Sequence, residues 1–227
     1  MAVCASLTIA QAPGGLTGSA SGAEAINDLA GYGLGMTLTA FKALPLIDHG
    51  KFPQAKALCS GDPELQKSTA LGDMWPMPDE ARAGMIRCNV FHPDPVNVSW
   101  WAPLAPMIGE QQGKAVTYFF VPWDGQTYRL LFSQYRLQAS MMQDTRDRLI
   151  AHLGNPTRYV AGTDGLNHVA WTDYWQAKDI WVLLDGKTKS RTFTITYVAP
   201  AVAASPSGRR FDRKGDILYY STHQHLR

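Results

Sequence analysis

Two spacings of apolar residues alternate along the chain, and each change of spacing marks a change of element. Leu38, Phe41 and Leu44 recur every third position behind Thr37, whose hydroxyl can accept an orphan amide of a first helical turn, and Pro45 ends the pattern. This predicts a short helix that must lie on a larger surface, because so few turns cannot hold themselves together. Helical spacing returns over Met141–Leu153, where Met142, Leu149, Ile150 and Leu153 share one face. Ser140 and Gln143 have capping-box spacing, Asp144 and Arg148 form an i,i+4 pair, and Gly154 stands where a helix C-cap belongs, with Pro156 beyond.

Elsewhere the spacing shortens to two. Met85–Phe91, Lys114–Val121 and Thr127–Ser133 are β-rich runs, and the last two flank Trp123-Asp124-Gly125-Gln126, a tight-turn sequence that predicts a hairpin. Asn167–Asp173, Asp179–Asp185 and Ser190–Val198 follow the longer helix, with Asp185–Lys189 as the loop between the last two. Phe193, Ile195 and Tyr197 alternate with Thr192, Thr194 and Thr196, as expected of an antiparallel strand buried on one face. Residues 46–83 are rich in Pro and Gly and read as an irregular connection with a short helix near Pro63–Lys67. The predicted class is α+β, with short helices packed on an antiparallel sheet in tandem helix-plus-sheet units. A domain over 26–200 divides into halves 26–135 and 136–200, and a tail over 201–227 carries a candidate edge strand at Ile217–Ser221.

The first 25 residues change the picture of where the protein resides. An apolar run from Ala2 to Ala10 is followed by Ala10-Gln11-Ala12 and later by Ala23-Glu24-Ala25, both of A-x-A cleavage type. The run resembles a signal-peptide core, although no positive residue precedes it; a disordered small-residue tail is the other reading of 1–25. Removal of that segment takes Cys4 away and leaves Cys59 and Cys88, which in an oxidising compartment can close one bridge. The expected location is therefore periplasmic or secreted, with the cytoplasm as the alternative.

Composition excludes more than it assigns. At 227 residues with 45% hydrophobic and 18% charged, the chain is long and apolar enough to bury a core. A formal charge of +2 gives no electrostatic reason to expect nucleic acid, and the basic stretch Arg209, Arg210, Arg213 and Lys214 has too few interleaved aromatics. No apolar stretch reaches the roughly 20 residues that span a bilayer.

Leu34-Gly35-Met36-Thr37 and Leu153-Gly154-Asn155-Pro156-Thr157 resemble two halves of a known pattern. Small envelope lipoproteins of the SmpA/OmlA type carry a similar strand-to-helix start and helix exit, and β-lactamase-inhibitor proteins place a similar helix on a sheet in tandem. Here the two signatures lie far apart in the chain, and the lipid-bearing cysteine of the lipoproteins has no counterpart. The resemblance implies a scaffold that binds proteins and carries over no site residue.

Motifs of chemistry are absent: there is no G-x-S-x-G, no phosphate-binding G-x-x-x-x-G-K-[ST], no H-E-x-x-H and no C-x-x-C. The six histidines are scattered, and neither His223 with His225 nor His92 with Asp94 has the surroundings of a metal or acid–base site. Asp164, Asp173, Asp179 and Asp185 read as turn residues bracketing strands. No catalytic residue, metal site or cofactor is assigned. The aromatic residues are the remaining clue. Trp171 is expected under the helix, Tyr174 and Trp175 in an exposed loop, and Trp100 and Trp101 on a second surface patch between prolines. The expected function is non-catalytic binding of an envelope or periplasmic protein through these residues. The alternative is a small periplasmic hydrolase or carbohydrate-binding protein that uses the same surface with Asp173 or His168.

Overall fold

A computed structural model describes residues 33–43, 52–68, 71–108, 111–163, 168–205 and 208. The signal-like segment 1–25, Asp164, the candidate edge strand Ile217–Ser221 and the pair His223 and His225 lie outside the described residues. One antiparallel sheet of nine strands dominates, and the described helices, five in number, are short apart from one. The α+β class with an antiparallel sheet is therefore the observed one.

In chain order the elements are α1 (Leu38–Ala43), β1 (Lys56–Cys59), a 3-10 turn at Pro63–Lys67, α2 (Leu71–Met74), α3 (Pro78–Arg82), β2 (Ile86–Pro93) and β3 (Trp101–Pro103). A small hairpin, β4 (Met107–Ile108) with β5 (Gln111–Gln112), precedes β6 (Ala115–Pro122) and β7 (Tyr128–Gln138). Then follow α4 (Met142–Leu153), β8 (Arg158–Thr163), β9 (Val169–Gln176), β10 (Trp181–Lys187), β11 (Thr192–Val198) and α5 (Pro200–Ala203). The sheet runs β1-β2-β6-β7-β11-β10-β9-β8, with β3 added beside β2. Pairing of β7 with β11 joins the two groups of strands, so the division at 135/136 falls inside β7.

Where local chemistry is strong, the sequence expectation and the structure coincide. Thr37 caps α1 by accepting the Ala40 amide at 3.1 Å, and Phe41 is fully buried against Tyr118 and Phe120 at ring separations of 4.9 and 5.1 Å. Gly125 has φ 85° in the β6–β7 turn, and Gly154 has φ 78° where its amide closes α4 on the Ile150 carbonyl. The expected face of α4 is the buried one, with Leu149 in the main core and Met142, Ile150 and Leu153 packed against it. That core lies between α1, α4 and one sheet face; a second cluster around Phe119, Leu131, Leu183 and Val202 fills part of the other face beneath α5.

Three local expectations are corrected. Ser140 does not cap α4, because Ala139–Met141 already winds as a 3-10 turn and Met141 occupies the N-cap position without a side-chain bond. β11 is buried on both faces: Thr194 and Thr196 are as enclosed as Ile195, since β11 is central in the sheet between β7 and β10. Asp185 and Gly186 lie in β10 rather than in a loop, opposite Thr172 and Trp171, and the turn falls later, with Lys189 at φ 64°. Trp171 sets the reason for glycine there, since a Cβ on Gly186 would collide with the indole ring.

Candidate functional site

The candidate surface is built at the β1–β2 end of the sheet. β1 is only four residues long, and it is held by antiparallel pairing in which Cys59 stands directly opposite Cys88. The two cysteines form the expected disulfide, buried against the main core. On the other face, Leu58 and Phe91 meet Leu65 of the 3-10 turn and Met74 of α2 in a separate cluster, and Trp101 packs on it. Ser68 forms a parallel bridge to Trp101, so β3 and the 3-10 turn are fastened together over this end of the sheet.

Polar groups fix the surrounding turns. Asp62 accepts the Cys59 amide at 2.8 Å and pairs with Lys42 of α1 at 2.9 Å, and Gly61 supplies the positive φ, 99°, that lets the chain leave β1 so sharply. Arg87 of β2 meets Glu80 of α3 through two hydrogen bonds of 2.8 and 2.9 Å and donates to the Asp73 carbonyl at 2.9 Å. Both side chains are nearly sealed from water, so this fork ties α2 and α3 to the sheet. Lys56 lies 4.4 Å from the Trp101 ring centre and pairs with Glu64 at 2.8 Å. The hydrogen bond from Lys56 holds the Glu64 carboxyl below the ordinary range, and Glu64 is a solvent-facing group.

Two loops project apolar side chains from this base. Trp75 follows Met74 and is 63% exposed, with Met77 close behind in the chain. The other loop leaves β2 and returns as β3. Within it Asp94 accepts the amides of Asn97 and Val96, and its own amide donates to the Trp100 carbonyl at 2.8 Å. Those two amides, Asn97 foremost, hold the Asp94 carboxyl below its usual range. The rigid turn displays Val96 at 94% and Val98 at 81% exposure, with Trp100 also exposed. A shallow groove lined by Ser60, Asp62, Leu65, Gln66, Met74 and Trp75 runs along the base.

The expected aromatic residues are thus divided. Trp100 and Trp101 belong to this surface, Trp100 exposed and Trp101 half-buried as its anchor. Trp171 is half-buried on the main core over Gly186. Tyr174 and Trp175 are not in an exposed loop: β9 continues through Gln176 and buries them on opposite faces, with the Trp175 indole donating to the Gly154 carbonyl at 2.9 Å. Trp175 thereby closes the end of α4 onto the sheet. Trp75, Met77, Val96 and Val98 had no sequence signal beyond being apolar in proline-rich stretches, and only their exposure singles them out.

Two carboxylates read as turn residues are strand residues instead. Asp173 is buried in β9 beneath α4, where Arg146 donates to it at 2.7 Å. That bond also raises the Arg146 pKa. Asp185 in β10 faces the other side, and burial pushes its carboxyl up to about 6 while the Thr172 hydroxyl, donating at 2.5 Å, opposes the shift. The two acids lie on opposite sheet faces. His92 stacks near Phe52 and bonds the Pro93 carbonyl, while His168 is half-buried next to the start of β9. Among the described residues no group of three or more His, Cys, Asp and Glu side chains is placed to hold a metal, and no helix is long and apolar enough to cross a membrane. No protein-family model, curated protein or solved structure matches the chain.

Proposed function

We propose that this chain is an exported, disulfide-bonded binding module whose partner is another envelope or periplasmic protein. The observation that carries this reading is the apolar rim formed by Trp75, Met77, Val96, Val98 and Trp100, held on rigid turns over one small core. Exposed aromatic side chains on fixed loops lose little entropy on contact and bury much area, which is the character of an interface anchor. The Cys59–Cys88 bridge fits an oxidising compartment. The helix-on-sheet resemblance, with its implied protein-binding scaffold, points the same way.

The test is cross-linked capture from an envelope extract with the full chain. The wild type and Trp123→Ala should recover the same stoichiometric protein, and Trp75→Ala combined with Trp100→Ala should lose about ten-fold or more of it. Equal recovery by the double variant would overturn the reading. A second reading, a carbohydrate-binding protein, is favoured by one feature: Trp75 stands beside Ser60, Asp62 and Gln66 in the groove, offering a flat face and hydroxyl partners for a sugar ring. Thermal stabilisation by saccharides or peptidoglycan fragments, lost in Trp75→Ala, would select it instead.

A further inference from the structure

At the opposite end of the sheet the described residues leave an edge open. β8 is the last strand, all six of its residues are exposed, and among the described residues no strand pairs with its outer side. Outward N–H and C=O groups on such an edge are a template for another strand. Natural sheets blunt their edges with proline, bulges, inward charges or very short strands. β8 has no proline, and it pairs with β9 in unbroken register from Arg158 to Thr163. β1, at the far edge, is only four residues long and is followed in the chain by the 3-10 turn.

The N-terminal end of this edge offers cationic donors on both faces. Tyr159 stands opposite Asp173, and on that face Arg146 reaches Asp173 through Nε. The Arg146 side chain remains 36% exposed, and its two terminal nitrogens make no hydrogen bond among the described residues. Asp173 and the neighbouring Asp147 offset its charge, so what Arg146 brings is a pair of fixed N–H donors. On the other face Arg158 lies 5.5 Å from the Tyr174 ring and has no ion pair among the described residues, so the excess positive charge is its own. Beyond this end the edge carries Val160, Ala161, Gly162 and Thr163, which offer no charge at all.

We propose that β8 is a strand-addition site, distinct from the aromatic rim, which takes an extended segment of a partner protein as an antiparallel tenth strand. Antiparallel pairing places the C-terminal end of that segment opposite Arg158 and Tyr159. Two adjacent acidic side chains there point to opposite faces, one toward Arg146 and one toward Arg158. The rest of the segment is uncharged and β-branched, to match Val160–Thr163.

The experiment uses the full chain, isotopically labelled, titrated with the peptide Ac-Thr-Val-Thr-Val-Glu-Glu-NH2 and with its counterpart ending in two lysines. Amide shifts should be confined to β8, β9 and the Arg146 side chain, and the glutamate peptide should bind about ten-fold tighter than the lysine one. Ala161→Pro, at a position whose N–H points to the open edge and not to β9, should abolish the shifts, and Arg158→Glu, a surface change that leaves the fold intact, should erase or invert the preference between peptides. Absence of β8 shifts with the glutamate peptide, or equal binding of both peptides, would overturn the proposal. So would sedimentation of the peptide-free chain as a dimer that Ala161→Pro dissociates, since the edge would then serve a second copy.

Discussion

Asp185 sets a pH dependence that runs against the usual direction for a carboxylate. Its folded-state pKa is pushed up to about 6, whereas an unfolded chain titrates Asp near ~4. Below about pH 4 both states hold the proton; between about pH 4 and about pH 6 the unfolded state ionises this carboxyl in water while the folded state keeps it neutral, and above that the folded state carries a buried charge. Stability contributed by neutral Asp185 is therefore present at low pH and lost as pH rises through the folded value, by roughly 2–3 kcal/mol. Asp185→Asn should stabilise the protein by about 1–3 kcal/mol above pH 7 and flatten its denaturant-unfolding profile between about pH 4 and about pH 6. A variant whose profile matched the wild type would show that another group governs that window. At Gly186 the constraint is steric. Gly186→Ala should cost about 1–3 kcal/mol in urea unfolding, and much less in a Trp171→Ala background, because the atoms nearest to the added Cβ all belong to that ring.

Elements are held by a few long-range ties rather than by their own length. α1 has six residues and is secured by Phe41, and β1 has four and is secured by pairing and a disulfide. Cys59 and Cys88 are 29 residues apart, so the bridge restricts a loop that contains the 3-10 turn, α2 and α3. Replacing both cysteines with alanine should lower stability by about 3–4 kcal/mol on the chain-entropy model, read as a fall in the urea midpoint. An unchanged midpoint would mean that the β1–β2 pairing and the Leu58–Phe91 cluster hold this end unaided. The Glu80–Arg87 fork predicts a different pattern: Glu80→Gln leaves a buried guanidinium without its counter-charge and should cost about 3–5 kcal/mol, whereas Lys42→Ala at the more exposed pair should change stability by less than about 1 kcal/mol.

For the molecule as a whole, the aromatic residues separate into those that build the sheet's core and those that face a partner. Trp175→Ala should destabilise by about 3–5 kcal/mol, since it empties a buried site and strands the Gly154 carbonyl at the end of α4. Trp75→Ala and Trp100→Ala should leave thermal unfolding nearly unchanged while removing the binding described above. A large loss of stability in the exposed variants would move them from the interface to the core.

Local sequence accounts for the parts governed by neighbours in the chain. Thr37 caps the start of α1, Asp124-Gly125 makes the β6–β7 hairpin, Gly154 and Pro156 end α4, and the alternation in 192–198 is that of a strand. Capping, turn chemistry and side-chain periodicity act within a few residues, so they can be read before any fold is known. The tertiary structure decided which strands lie beside which, and burial followed from that order. β11 became a two-faced core strand because it lies between β7 and β10. Asp173 and Asp185 became buried acids because β9 and β10 extend further than their local composition suggests. The pairing of Cys59 with Cys88 was allowed by the sequence and fixed by the β1–β2 register. The division of the tryptophans had the same origin: Trp175 and Trp100 are chemically alike, and only the burial of β9 and the exposure of the β2–β3 loop set one against α4 and the other toward solvent.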